Sequence, residues 1–584
     1  MTITKINMFS VKSNNYNYQQ STPRVAYKNQ LDSVSFSRNN ALMANTISFG
    51  AEQRFRTKLS PEKAEMILTK LSNSTSGLRG EYGGPIFNAE TTSLITESVA
   101  AKLIADKASN TVLVGGDMRH ASKITVPQIA KQMKNNGFTV LYSEQPVPTP
   151  ALALAAKRFK VGVAFLNTAS HNNWRDGGYN LLTNKGAVAD PHFTKPLIEF
   201  GVNIAKGRKV KTQTGEVGQI IKYDAYPLYK DYLDTKKING QNIIDFKAIK
   251  DAGVEIFYDD LGGTGSYYLP RLLEDHGIEI KKSLRTHTEG PEPNAKNLKA
   301  LSDEVKSYKS KSGLKIGLSN DGDSDRFGIV DEKGNFIPAN DVLLLMVYHL
   351  NKHKGYKKGT VLRSVATSSQ VDLLAKQKGL NVIVTPVGFK YIGEKMIDLA
   401  EKSRKNPQLT PILGGEESGG LTIGGHIPEK DGFVATLAIA ELVAKEGKPV
   451  GQILKEIKAS LGKKVQNGCT NYSTPDKEQF IGEFRKMYNE ALDGKRKEVF
   501  GMPIDVNKTK AEFATVSKFK KGGDGVKLYF QNGSSVLVRL SGTEEKARVY
   551  KEIYSATPKE AAATSAAIDA GVAKIAQYCN AKAL

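Results

Sequence analysis

With 584 residues, 40% of them hydrophobic, the chain has material for about four domains. No stretch reaches the ~18 unbroken apolar residues of a membrane span, and two cysteines, Cys469 and Cys579, supply neither a disulfide framework nor a metal-ligand spacing, which points to a reducing, cytoplasmic setting. The net charge of +23 attracts anions in general, but the basic residues are scattered and no nucleic-acid signature accompanies them, so nucleic acid is not an expected partner.

Residues 1–55 are rich in Asn, Ser, Gln and Tyr, with Asp32 the only acid before Glu52, and read as a disordered extension. Their scattered basic residues leave an organelle transit peptide open as a second reading. From about residue 60 the pattern is strand, helix, strand. Apolar runs at 111–115, 138–142 and 161–166 enclose a helical stretch ending near Asn136. The unit recurs with runs at 254–258, 278–280 and 315–318 around a helix through Leu272 and Leu273. It recurs once more at 360–365, 381–385 and 410–413, with helices around Leu373 and Met396. Continuous apolar runs separated by helices predict parallel strands covered on both faces, hence three related α/β domains.

The last part differs. Runs at 526–530 and 535–540 flank Asn532-Gly533, a type I′ hairpin signal, and a strand at 547–554 and an Ala-rich helix follow. The Lys- and Glu-rich region around 474–500 carries the first helix of what reads as a smaller α+β domain with an antiparallel sheet. The expected divisions are 1–55, 56–238, 239–338, 339–470 and 471–584.

Four polar loops follow these runs, and α/β sheets place ligands at the C-terminal ends of parallel strands. The first is Thr168-Ala169-Ser170-His171-Asn172. A serine there can be a nucleophile or carry phosphate, although a turn serine bonding its own backbone fits the same residues. The second is Asp321-Gly322-Asp323-Ser324-Asp325-Arg326, whose alternating carboxylates can converge on one hard cation. Glu332 stands twelfth from Asp321, as in an EF-hand, but Arg326 in place of the sixth-position glycine and strand-like flanks argue against one. The third, Gly414-Gly415-Glu416-Glu417-Ser418-Gly419-Gly420, suits hydrogen bonding to vicinal sugar hydroxyls, with His426 and Lys430 just beyond. The fourth, Arg539-Leu540-Ser541-Gly542-Thr543-Glu544, offers an arginine fork, two hydroxyls and glycine-exposed N–H groups to a phosphate dianion; a plain strand-to-strand turn is the alternative.

In this order, and over about residues 65–584, the loops resemble those of the α-D-phosphohexomutase family, phosphoglucomutase/phosphomannomutase type. Three further segments join the match: Thr75-Ser76-Gly77-Leu78-Arg79-Gly80, Gly116-Asp117-Met118-Arg119 and Thr385-Pro386-Val387-Gly388-Phe389-Lys390. The resemblance implies an α/β protein of three related mixed-sheet domains plus a C-terminal α+β domain around a central cleft, acting as an isomerase on a hexose phosphate. It implies that Ser170 is a phosphoserine, with Mg²⁺ between its phosphate and Asp321, Asp323 and Asp325. Arg79 and Arg326 would neutralise that phosphate, with His171 beside the serine and Lys430 as general acid/base. Lys390, Glu416, Glu417 and Ser418 would face the sugar, and Arg539, Ser541, Gly542 and Thr543 the phosphate that does not react. Glucose 1,6-bisphosphate is the implied intermediate and activator.

Two departures from the family pattern stand out. After Asn172 the chain runs Asn173-Trp174-Arg175-Asp176-Gly177-Gly178-Tyr179-Asn180, without the usual proline, and Asn180 replaces a lysine given a proton-transfer role; Lys185 or Arg175 are the substitutes at hand. The sugar loop also lacks the histidine of phosphomannomutase-type members, whereas Lys430 in His426-Ile427-Pro428-Glu429-Lys430-Asp431-Gly432 matches the phosphoglucomutase type. The expectation is therefore a glucose 1-phosphate/glucose 6-phosphate mutase, with a phosphomannomutase or dual-specificity enzyme as runner-up. A phosphoglucosamine mutase, a non-catalytic polyanion binder and a phosphoserine hydrolase fit the loops less well.

Overall fold

The parallel strands at the centre of the first three domains are the apolar runs of the sequence. The structure, a computed structural model, describes residues 57–74, 77–462, 464–516, 525–540 and 546–584. The first sheet runs, edge to edge, Leu78–Glu81, Asp176–Leu182, Ala164–Asn167, Thr111–Gly116, Thr139–Tyr142 and Gln219–Lys222. Its last four strands are parallel, and Asp176–Leu182 runs antiparallel to both of its neighbours. The second sheet orders Ile280–Leu284, Glu255–Asp259 and Lys315–Asn320 in parallel, then Phe327–Val330 and Phe336–Ile337 antiparallel. The third places Asn381–Thr385, Thr360–Ser364 and Pro411–Gly415 in parallel, with Leu421–Ile423 antiparallel at the edge. Successive residues of the runs serve opposite faces. Leu113, Ala164 and Leu166 enter one core, while Val112, Val114 and Phe165 enter the other.

One detail repeats and places the chemistry. In each of these domains the third parallel strand ends in a short loop and the chain turns back as its antiparallel neighbour. Those three loops are the serine, aspartate and glutamate segments singled out in the sequence.

The fourth sheet is antiparallel throughout, in the order Val526–Tyr529, Ser535–Leu540, Lys546–Ser555, Lys464–Ser473, Lys582–Ala583. Helices Lys477–Leu492 and Pro558–Tyr578 contribute Phe480, Phe484, Ile568 and Val572 to its own core, whereas one core runs through the first three domains. The seam with the third domain combines a small apolar cluster, Val365 with Val516 and Leu537, with polar contacts. Glu552 accepts from Ser368 Oγ and from the backbone N–H and hydroxyl of Ser369, and Lys527 Nζ donates to the Val365 carbonyl at 2.8 Å. Glu512, beside Lys527 and Arg363 and bonded by Tyr529, is held down to about 2; burial alone would raise it, and these cations outweigh burial.

Three expectations need correction. The division at 470/471 cuts through Lys464–Ser473, which pairs along its whole length with Lys546–Ser555 and belongs to the fourth sheet. That strand, KVQNGCTNYS, buries little beyond Tyr472 and so lacks an apolar signal. The division at 238/239 falls in the turn of a small hairpin, Lys237–Ile238 with Gln241–Asn242. The type I′ turn at Asn532-Gly533 is not formed, because that turn needs positive φ at both residues and only Gly533 (φ +94°) has it. Tyr529 pairs with Ser535 and Gly533 N–H closes onto the Phe530 carbonyl, a longer loop in which the Asn532 side chain accepts from Ser534 N–H.

Candidate active site

Ser170 sits three residues beyond Ala164–Asn167 in the left-handed region (φ +52°), 1% exposed. Local bonds hold it there. Its N–H donates to Thr168 Oγ1 at 2.8 Å, and that hydroxyl donates to Asp117 Oδ2 at 2.7 Å. Ser170 Oγ donates to Asp321 Oδ2 at 2.7 Å and lies 3.3 Å from His171 Nδ1. The two loops touch so closely that a Cβ on Gly322 would stand 2.7 Å from the Ser170 carbonyl oxygen.

Asp321, Asp323 and Asp325 alternate along a turn made possible by Ser324 at φ +59°, so their carboxylates share one side. Each offers an oxygen within 4.8 Å of the others, and all three are buried. Asp321 Oδ1 accepts from Arg326 N–H and Asp323 Oδ2 from Thr149 Oγ1, while Asp323 Oδ1 and Asp325 Oδ1 are buried with no hydrogen-bond donor among the described residues. Burial, then mutual repulsion, holds Asp321 well above the usual carboxylate range and raises Asp323. Asp325 goes down, because Lys430 and Arg326 outweigh its burial. Convergent hard oxygen ligands with unmatched negative charge fit a divalent cation of the Mg²⁺ type.

The third-domain loop is bolted onto this turn. Lys430 Nζ donates to Asp325 Oδ2, Gly432 N–H to the Ser324 carbonyl, and Phe327 N–H to Gly419 O. Asp325 holds the Lys430 ammonium charged against the pull of burial. The two glutamates face different ways. Glu416 is buried and accepts from Gly388 N–H at 2.7 Å, whereas Glu417 accepts from Ser364 Oγ at 2.8 Å and lines a cavity of about 210 Å³ with Cys469, Lys527, Tyr550 and Lys551. Ser418 is exposed, and Lys390 Nζ donates to the Ser74 carbonyl of the first domain.

Arg539 stands in Ser535–Leu540, while Ser541, Gly542 and Thr543 lie outside the described residues. Sequence reasoning missed Arg548, which pairs directly opposite Arg539 on the next strand. A signal existed, since Arg548 stands in the strand-like run at 547–554 that follows the Arg539 segment in the sequence. Arg79 Nη1 donates to Asn172 Oδ1 at 3.0 Å. The imidazole of His171 is held well below its usual range, first by burial and then by Arg326, Arg79, Lys430 and Arg548, one cation from each domain. Positive charge from all four domains thus acts on the imidazole that neighbours Ser170, the sign of field a phosphate requires.

The two substitutes at hand for the missing lysine lie at the surface. Asn180 is buried, with Oδ1 turned to Leu181 N–H, and both Lys185 and Arg175 are exposed.

Burial, with Glu417 beside it, pushes Glu416 up to about 7. An unfolded glutamate titrates near about 4.3, so the folded chain holds the extra proton between the two values, and the stability this gives is lost as pH rises towards 7. Glu416→Gln keeps an acceptor for Gly388 and removes the charge. From pH 4 to pH 8 the variant should gain up to about 3 kcal/mol relative to wild type in denaturant titrations. A constant difference across that range would count against the buried, protonated carboxyl.

Comparison with known proteins gives a consistent picture. The α/β/α domain models of the phosphoglucomutase/phosphomannomutase family match residues 70–205 (domain I), 230–334 (domain II) and 338–460 (domain III), together more than half of the chain. The phosphoglucomutase/phosphomannomutase of Thermococcus kodakarensis is 27% identical over 453 residues, 76% of this chain and 86% of its own. The phosphoglucosamine mutase of Caldicellulosiruptor saccharolyticus is 25% identical over 401 residues, 67% of this chain and 83% of its own. The open form of the Paramecium phosphoprotein parafusin, a phosphoglucomutase, superposes with a TM-score of 0.68 at 20% identity, covering 90% of this chain and 97% of that one, which shows a shared fold. With three successive family domains in order, the chain belongs to the phosphoglucomutase/phosphomannomutase family of α-D-phosphohexomutases, isomerases that work by phosphoryl transfer.

Proposed function

We propose that the protein is a cytoplasmic phosphoglucomutase, interconverting glucose 1-phosphate and glucose 6-phosphate through a phosphoserine at Ser170 and a glucose 1,6-bisphosphate intermediate. The observation that carries this is Ser170 Oγ bonded to Asp321 of the buried Asp321, Asp323 and Asp325 cluster. Asp321, Asp323 and Asp325 would hold Mg²⁺ together with the serine-borne phosphate. The ion, when bound, supplies charge neutralisation of the transferring group.

The chain's own residues do the rest. The phosphorus–oxygen bond to Ser170 breaks as one to a sugar hydroxyl oxygen forms, and the hydroxyl proton ends on Ser170 Oγ. His171, neutral and 3.3 Å from that oxygen, and the Lys430 ammonium are the groups at hand to relay it in the absence of a lysine at Asn180. Arg79 and Arg326 orient the phosphoserine. Glu417, at the edge of the cavity, takes sugar hydroxyls with Ser418 and Lys390, while Glu416 shapes the loop from below through Gly388. Arg539 with Ser541, Gly542 and Thr543, joined by Arg548, holds the idle phosphate at either end of the sugar.

A second reading, a phosphoglucosamine mutase, draws on the name of the Caldicellulosiruptor relative. A phosphomannomutase or dual-specificity enzyme differs from the first reading only at the C2 hydroxyl. The deciding experiment compares kcat/KM for glucose, mannose and glucosamine 1-phosphates with Mg²⁺ and a trace of the matching 1,6-bisphosphate. Preference for glucose supports the reading, another preference reassigns the sugar, and no 6-phosphate from any of them defeats the mutase.

A further inference from the structure

Arg119 has no part in the chemistry above, yet all five N–H donors of its guanidinium are engaged around Ser170. Nη2 donates to the carbonyls of Ser170 (2.5 Å) and Asn172 (2.8 Å), Nη1 to those of Asn173 (2.5 Å) and Asp176 (3.0 Å), and Nε to Asp117 Oδ2 (3.0 Å). The side chain is 1% exposed. Asp117 also anchors Thr168, so one ion pair grips the serine turn through the serine's N–H on one side and its carbonyl on the other.

Trp174, the only tryptophan of the chain, covers the guanidinium, with Arg119 Cζ 4.9 Å from the ring centroid. Its indole N–H is buried without an acceptor among the described residues, which costs about 1–3 kcal/mol, so the ring is kept for its face and not its polar tip. The same stretch reaches the second domain. Trp174 N–H donates to the Glu289 carbonyl and Asn173 Nδ2 to Glu289 Oε1, both at 3.1 Å, and a Cβ on Gly262 would meet Trp174 Cζ2 at 3.4 Å. The Asn173-Trp174 pair stands where the family pattern has proline.

We infer that Arg119 and Trp174 form a positioning clamp that fixes Ser170 in its left-handed conformation and straps the serine loop to the second domain, keeping Ser170 Oγ in register with Asp321. The catalytic consequence rests on the mutase reading; the clamp itself does not. Lysine has three donors and no planar fork, so it cannot span four carbonyls.

Arg119→Lys should lower kcat about 100-fold with little change in KM, the effect expected of a displaced reacting atom and not of lost binding. The emission of Trp174 should shift to the red as the ring is released, with the melting midpoint held. Trp174→Ala should lower kcat, and Trp174→Phe, which keeps an aromatic face, should restore it; this pair decides the matter if Arg119→Lys does not fold. Unchanged kcat in Arg119→Lys, loss of kcat only in proportion to the unfolded fraction, or unchanged Trp174 emission overturns the clamp. If the wild-type protein turns over no hexose phosphate, the mutase reading falls and the emission shift alone decides the clamp.

Discussion

Ser170→Ala is expected to cut turnover of hexose phosphate by at least about 10⁴-fold while leaving sugar-phosphate binding in place. The contacts that shape the turn are made to the backbone of residue 170: its N–H to Thr168 and its carbonyl to Arg119. Those survive the substitution, and alanine is no worse than serine at φ +52°. What is lost is one hydrogen bond to Asp321, about 1 kcal/mol, and the oxygen that would carry phosphate. Asp321 keeps the N–H of Arg326. Intact-mass measurement after incubation with glucose 1,6-bisphosphate should therefore show one added phosphate on the wild type and none on the variant. Glucose 6-phosphate should raise the melting midpoint of both, because Arg539, Arg548 and Lys390 are untouched. Retained turnover, or phosphate mapped to another residue of the wild type, moves the carrier away from Ser170.

The positions of the reactive loops are legible in the sequence because each follows a buried parallel strand, and burial on both faces writes itself as an unbroken apolar run. The 161–166, 315–318 and 410–413 runs locate Ser170, Asp321 and Glu416 to within a few residues. Strands exposed on their faces write nothing comparable. Lys464–Ser473 has ten backbone partners across from it and almost no apolar residue to announce them, which is why the fourth domain begins earlier than expected. Geometry that depends on distant residues is equally silent. Glu416 and Glu417 are chemically alike and adjacent, and only the approach of Gly388 to one and of Ser364 to the other separates their tasks. The Arg119 carbonyl contacts span more than fifty positions along the chain, and a motif supplies the arginine without its targets. Asn180 is the reverse case. The departure is visible in the sequence, and the fold adds that Lys185 and Arg175 are both exposed, leaving His171 as the titratable group that Ser170 meets in its own domain.

The aspartate turn leads to the second large effect, because a site that stores negative charge for a cation should be strained without one. Asp321 and Asp323 are pushed upward first by burial and then by neighbouring carboxylates, and only Asp325 is compensated, through Lys430 and Arg326. Asp323→Asn relieves part of that repulsion and keeps an acceptor for the Thr149 hydroxyl, so the variant should melt at a higher temperature than the wild type in EDTA. Mg²⁺ reverses the order. At a hundred times its dissociation constant a bound ion stabilises the wild type by about 2.7 kcal/mol, a shift that Asp323→Asn should largely lose. Turnover should fall on the order of 10³-fold in the variant, equivalent to about 4 kcal/mol of charge stabilisation withdrawn from the transferring phosphate. The two readouts move in opposite directions, which global destabilisation cannot imitate. A variant that melts lower than wild type in EDTA, or keeps the full Mg²⁺ shift, places the cation elsewhere and leaves the three buried carboxylates as a purely structural turn.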